Sequence, residues 1–199
     1  MITIIDYAVN NINSVEKAFR SLKIPVEITE NTRKIREADK LVLPGVGAFG
    51  DAVNNLKGGK IFDLLREKAE AGTPILGLCL GLQLFFSKSE EFGSVLGLNF
   101  IQGNVQRLPE TVQVPHIGWN QLCLLKSDPL LEGVEQGSFV YFVHSYYATP
   151  FNQDHVLATT EYGMKFTAVV RKKNVWATQF HPEKSQDIGL RILRNFSLI

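Results

Sequence analysis

Bulk charge is what this chain most lacks: across 199 residues, 21 basic side chains face 20 acidic ones, a formal net charge of +1. So weak a field excludes broad electrostatic capture of nucleic acid or of an anionic membrane, and any partner has to be recognised locally. Cysteine is scarce as well. Cys79 and Cys123 are too few for a disulfide scaffold, which suits a reducing compartment. No apolar run approaches a membrane span. Met1-Ile2-Thr3-Ile4-Ile5 has neither the basic start nor the length of an export signal, so a cytoplasmic location is expected. No His or Cys pair has ligand spacing such as C-x-x-C or H-x-x-x-H, so no metal is expected. With no linker or low-complexity segment either, one domain over residues 1–199 is the simplest reading.

What is present centres on Gly77-Leu78-Cys79-Leu80-Gly81, which follows the apolar run Thr73-Pro74-Ile75-Leu76 and leads into a helix expected over residues 80–86. G-x-C-x-G has the spacing of the nucleophile elbow G-x-S-x-G, in which a strained turn lifts the central side chain above a sheet. A thiolate there gains from the helix dipole, and the Leu80 NH points to where an oxyanion would form. A buried structural thiol is the alternative, since free cysteine is among the most buried residue types. Downstream, the strand-like run Trp176-Ala177-Thr178-Gln179-Phe180 delivers His181, with Pro182 and Glu183 after it. A thiol nucleophile needs such a pair: an imidazole to take and return the proton, and a carboxylate to fix its tautomer. Without Cys79 the same residues would read as a surface turn.

The rest of the chain frames these two motifs. Residues 2–5, 26–29 and 40–43 read as strands, and residues 12–22, 61–70 and 185–195 as amphipathic helices. Strand and helix in alternation predict an α/β fold with a doubly wound, mostly parallel sheet flanked by helices, whose chemistry sits at the C-terminal strand ends. Between residues 99 and 170 the pattern changes to short strands at 121–125, 139–143, 156–160 and 168–170. Turns at Lys126-Ser127-Asp128-Pro129 and Thr149-Pro150 separate them, implying an added antiparallel portion. Pro44-Gly45-Val46-Gly47-Ala48-Phe49-Gly50 is expected to be a loop, and it lacks both the P-loop ending and dinucleotide spacing. Residues 115–120 are expected to form another loop, with Trp119 either packed inside it or on an interface. Of the four histidines, His155 reads as solvated, while His116 and His144 are open to structural or site roles.

Taken together, Gly-Leu-Cys-Leu-Gly-Leu-Gln (77–83), Leu43-Pro44-Gly45-Val46-Gly47, Val114-Pro115-His116-Ile117-Gly118-Trp119-Asn120, Tyr141-Phe142-Val143-His144-Ser145-Tyr146 and Gln179-Phe180-His181-Pro182-Glu183-Lys184-Ser185 carry a resemblance. They resemble the class I (triad) glutamine amidotransferases and, within them, the histidine-pathway branch, the glutaminase subunits of imidazole glycerol phosphate synthase. The resemblance implies a Cys79, His181 and Glu183 triad acting on L-glutamine without a cofactor. It implies a substrate site at Gly45, Val46, Gly47, Leu80, Gln83, His144, Ser145 and Tyr146, with a second oxyanion NH from the Gly45-Val46-Gly47 loop. A partner face and ammonia passage would involve Asn11, Ser14, Pro115, Ile117, Trp119, Asn120, Tyr141 and Lys184. The chain ends at Ile199 with no synthase segment, so the acceptor is expected on a separate cyclase subunit with a (β/α)8 barrel.

Two departures bear on the acceptor. Asp6-Tyr7-Ala8-Val9-Asn10-Asn11 stands where the family has Asp-Tyr-Gly-x-Gly-Asn, and Ile117 replaces a common Met. Ala8 does not adopt a left-handed backbone cheaply. A paralogue feeding ammonia to a related barrel enzyme in surface-sugar biosynthesis, or a non-catalytic regulatory subunit, is the alternative reading.

Overall fold

The computed structural model describes residues 1–8 and 10–199. Strand and helix alternate through the first part of the chain: β1 (Ile2–Ile5), α1 (Ile12–Ser21), β2 (Val26–Thr29), α2 (Thr32–Glu37), β3 (Lys40–Leu43), α3 (Phe49–Gly58), α4 (Ile61–Glu70), β4 (Ile75–Leu78) and α5 (Leu80–Leu84). Short strands follow: β5 (Phe86–Ser89), β6 (Val95–Leu96), β7 (Ile101–Arg107), β8 (His116–Gln121), β9 (Cys123–Leu124), β10 (Phe139–His144), β11 (Tyr146–Pro150), β12 (Val156–Glu161), β13 (Lys165–Lys172) and β14 (Val175–Thr178). Helix α6 (Gln186–Leu198) ends the chain.

The main sheet has the order β2-β1-β3-β4-β14-β13-β12-β9. Its first five strands pair in parallel, and the last three add antiparallel edges. β1, β4 and β14 are buried along their whole length, as strands covered on both faces should be. One apolar layer includes Val15, Phe19, Ile192 and Phe196 of α1 and α6; the other includes Val53, Leu56, Leu64 and Leu65 of α3 and α4. The expected parallel core and its antiparallel addition are therefore both present. The addition continues as the ribbon β8–β10 and the sheet β11-β7-β5-β6.

Three local expectations fail for one reason, long-range hydrogen bonding. The helix expected through residue 86 stops at Leu84, because the carbonyls of Leu84, Phe85 and Phe86 accept from the amides of Leu98, Ile101 and Asn99. Residues 116–120 are not a loop: β8 pairs with β10 from His116↔His144 to Gln121↔Phe139. Nor is Thr149-Pro150 a turn, since both residues pair with Asn104 and Gly103 at the end of β11. Trp119 is 45% exposed, so the packed alternative for that residue is wrong too.

The segment after β1 keeps a left-handed residue without a glycine. Ala8 has φ +65°, held by its NH donating to Asp6 Oδ1 at 3.0 Å, while Val9 of the same departure lies outside the described residues. A left-handed alanine costs about 1–2 kcal/mol and a glycine's extra chain entropy about 0.5–1 kcal/mol. Ala8→Gly is therefore expected to stabilise the fold by roughly 0.5–1 kcal/mol, raising Tm by about 2 °C. A thermal melt checks this, and a lower Tm would mean that this turn is not held in solution.

Candidate active site

Cys79 stands between β4 and α5 with φ +53° and ψ −103°, a conformation that few side-chain-bearing residues adopt. The neighbouring glycines make the turn possible. A Cβ on Gly77 would lie 2.7 Å from the Gly81 carbonyl carbon, and one on Gly81 would run into the Leu43 carbonyl oxygen. The Cys79 NH donates to Thr178 O at 2.8 Å, which ties the elbow to the end of β14. Three residues on, the chain places His181.

The His181 ring is fully buried, and its Nδ1 lies 2.8 Å from Glu183 Oε1. Its other nitrogen, Nε2, is buried and makes no hydrogen bond among the described residues. Burial alone would lower the His181 pKa, but interaction with Cys79, then with Glu183, outweighs it and pushes the value up to about 10. The backbone around the histidine is pinned by β10: His181 N donates to Tyr141 O at 2.9 Å. Ser185 Oγ accepts from Tyr141 N and donates to His181 O.

Glu183 has a further contact. Asn11 Nδ2 donates to its Oε1 at 3.2 Å across 172 residues of sequence. Asn11 is the N-cap of α1, where Asn ordinarily binds its own helix, yet it makes no side-chain cap bond. Asn11 is thus buried against the carboxylate. Ser14, one turn into α1, is exposed.

Cys79 opens into a cavity of about 260 Å³ lined by Val46, Gly47, Leu80, Gln83, Pro115, Val143, His144, Ser145, Tyr146 and Glu91. Larger hollows run along residues 124–134 and beside α6, but neither is lined by a cysteine or a histidine among the described residues. Glu91, the acidic residue among these, escaped the sequence reading; its Oε2 accepts from Phe49 N at the start of α3. Only the fold brings it here, because residues 90–94 carry no motif.

Two expected ligands are engaged internally. Gln83 Nε2 donates to Tyr146 O at 2.9 Å. His144 Nδ1 donates to Tyr146 O at 2.9 Å, so its Nε2 must accept from His116 Nδ1, 3.1 Å away. His116 stacks on Phe142 and Tyr162, and burial lowers the pKa values to about 4 for His116 and about 3 for His144. Both rings are thus tied into the packing, and His144 also faces the cavity.

The oxyanion donors differ from expectation as well. The Leu80 NH, expected to stand open, donates to Gly45 O at 3.3 Å. Beside the cavity, the outer face of the β8–β10 ribbon carries Ile117, Trp119, Phe139 and Tyr141, with Lys184 Nζ 5.9 Å over the Tyr141 ring. Phe139 was missed, though its alternation with buried Val140 and Phe142 was there to find. Asn120 points to the other face and donates to Glu161 O, so it does not join this patch.

Among solved structures, a crystal structure of a glutamine amidotransferase superposes with TM-score 0.79 at 20% identity, covering 98% of this chain and 97% of that one. PurLQS from Thermotoga maritima gives 0.78 at 16% identity over 98% and 96%. Those likenesses concern the fold. In sequence, the imidazole glycerol phosphate synthase subunit HisH of Syntrophotalea carbinolica is 49% identical over 98% of both chains. That of Aquifex aeolicus is also 49% identical, over 97% of this chain and 94% of its own. The family described as glutamine amidotransferase class-I matches residues 3–199. With this coverage and identity, the chain belongs to the class I glutamine amidotransferases, in the HisH branch of that family.

Proposed function

We propose that the chain is the glutaminase subunit of an imidazole glycerol phosphate synthase, acting over residues 1–199 as one cytoplasmic domain. The observation that carries the reading is the buried 2.8 Å contact of the His181 imidazole with Glu183, the imidazole also interacting with the elbow cysteine Cys79. Cys79 Sγ attacks the carboxamide carbon of glutamine. The C–N bond then breaks as His181 gives its proton to the leaving nitrogen, releasing ammonia and leaving a γ-glutamyl thioester. Water adds to the thioester carbonyl, His181 takes its proton, and the C–S bond breaks to give glutamate and the free thiol. Within the cavity, Glu91 offers the charge that glutamine's α-ammonium needs, and the backbone of Gly45-Val46-Gly47 offers amides.

Ammonia has to be handed on, and the face with exposed Ile117, Trp119 and Phe139 and half-buried Tyr141 fits a partner subunit, aromatic residues being interface-enriched. We assign that partner as the (β/α)8-barrel cyclase, whose lyase chemistry would consume ammonia delivered along an enclosed passage. The relatives named as HisH subunits support this reading over the surface-sugar alternative.

The resting site predicts control by that partner. With the Leu80 NH occupied by Gly45 O, a donor to the oxyanion is missing, which suppresses turnover by roughly 10²- to 10³-fold. Cyclase is expected to raise the glutaminase rate by about that factor, most strongly with its own ligand bound. Steady-state glutamate release with and without cyclase tests this; a free chain already running at the rate of the complex overturns it.

A further inference from the structure

In the main sheet the strand order reverses between β1 and β3, and the crevice outside such a switch point is where open α/β sheets bind ligands. Here the crevice is bridged. Tyr7, two residues past β1 and buried, donates its hydroxyl to the carbonyl of Pro44, just past β3, at 2.5 Å. The same hydroxyl sits so close to Gly45 that an added Cβ would overlap it. Gly45 in turn presents its carbonyl to the Leu80 NH. Two hydrogen bonds, joined through the Pro44–Gly45 peptide, thus run from Tyr7 to the amide beside the nucleophile.

That amide is the one an oxyanion on Cys79 requires, and the Gly45 carbonyl places a partial negative charge where the oxyanion would form. Uncovering the amide requires the Gly45–Val46 peptide to turn, which the hydrogen bond on the preceding peptide resists. Burial, together with the nearby Cys79 charge, raises the Tyr7 pKa, so the hydroxyl stays a donor. The other end of the same segment, Asn11, holds Glu183, and between them lies the left-handed Ala8. Displacing this segment would therefore act on the oxyanion loop and on the carboxylate together.

We propose that the Tyr7 hydroxyl is a latch on the oxyanion loop, a positioning residue that favours the conformation in which Gly45 covers the Leu80 NH. The latch rests on the glutaminase reading of this site. A group that stabilises only the covered state shifts the equilibrium by its differential interaction, and its loss raises the uncovered fraction.

Tyr7→Phe keeps the ring and removes the bond. In the chain without cyclase, kcat for glutamine hydrolysis is expected to rise about 10-fold with KM unchanged. The rate of the cyclase-activated complex should stay as it was, so that activation shrinks by the same factor. A fall in kcat in both forms, or no change in either, overturns the latch. A second measurement needs no turnover: in the Cys79→Ala protein, Tyr7→Phe should speed amide hydrogen exchange at Leu80 about 10-fold, and unchanged protection there overturns the latch. Absence of hydrolysis by the unsubstituted chain with cyclase would strike the glutaminase reading instead, and the exchange result would still judge the latch.

Discussion

Replacing Cys79 by alanine is expected to abolish glutamine hydrolysis while the partner's synthesis from added ammonium salt continues. The drop should be at least about 10⁴-fold, because loss of a nucleophile leaves only binding and oxyanion stabilisation. Selectivity is the informative part. Cys79 is buried in the elbow, and its left-handed φ of +53° is a strain that alanine relieves no better than cysteine. The glycines that let the turn form, Gly77 and Gly81, are untouched. The proposed docking face on β8 and β10 lies on other elements, so complex formation and ammonia-dependent synthesis should persist. Parallel assays with glutamine and with ammonium salt decide the matter. An equal loss in both would make Cys79 a structural residue, whereas survival of the ammonia reaction alone assigns it to hydrolysis.

Glu183→Gln should lower turnover by on the order of 10²- to 10⁴-fold without unfolding the chain. An amide at this position keeps the shape and can still accept from Asn11 Nδ2, but it no longer supplies the charge that favours the imidazolium. The sign of the accompanying pH change follows. His181 is raised to about 10, with burial pulling down and Cys79 and Glu183 pulling up; removing Glu183 deletes an upward contribution, so the pKa falls. The alkaline limb of the pH–rate profile, where the acid that protonates the leaving nitrogen is lost, should move to lower pH. Stability obeys the same linkage. A folded pKa above the unfolded value of about 6.5 contributes stability that is complete below that pH and vanishes as pH rises through about 10. The variant's deficit in unfolding free energy should therefore be largest below about pH 6.5 and absent above about pH 10. Unchanged turnover and an unmoved alkaline limb would remove Glu183 from the triad.

The sequence by itself determined whatever depends on neighbours in the chain. β1 to β4 were readable as apolar runs, and α1, α4 and α6 as stripes, because the faces of a strand or helix follow from residue spacing alone. The elbow was readable in the same way, since Gly77 and Gly81 approach each other within one turn, although the Leu43 carbonyl on β3 is what also requires Gly81. His181 and Glu183 lie two residues apart, so their 2.8 Å contact needed only a stiff proline between them.

Tertiary structure decided which groups these motifs meet. Phe86 became strand because Asn99 bonds its carbonyl, and residues 116–121 became strand because β10 lies alongside. His144 lines the cavity, and only the fold brings its two nitrogens to Tyr146 and His116. Glu91 reaches the cavity, Asn11 reaches Glu183, and Tyr7 reaches Pro44 across separations that periodicity does not report. A pattern in the sequence says which face of an element is apolar, but not which carbonyl, carboxylate or hydroxyl packing will bring against it. That is why the candidate nucleophile was legible in five residues, while the cover on the Leu80 amide was visible only once β1, β3 and β4 stood side by side.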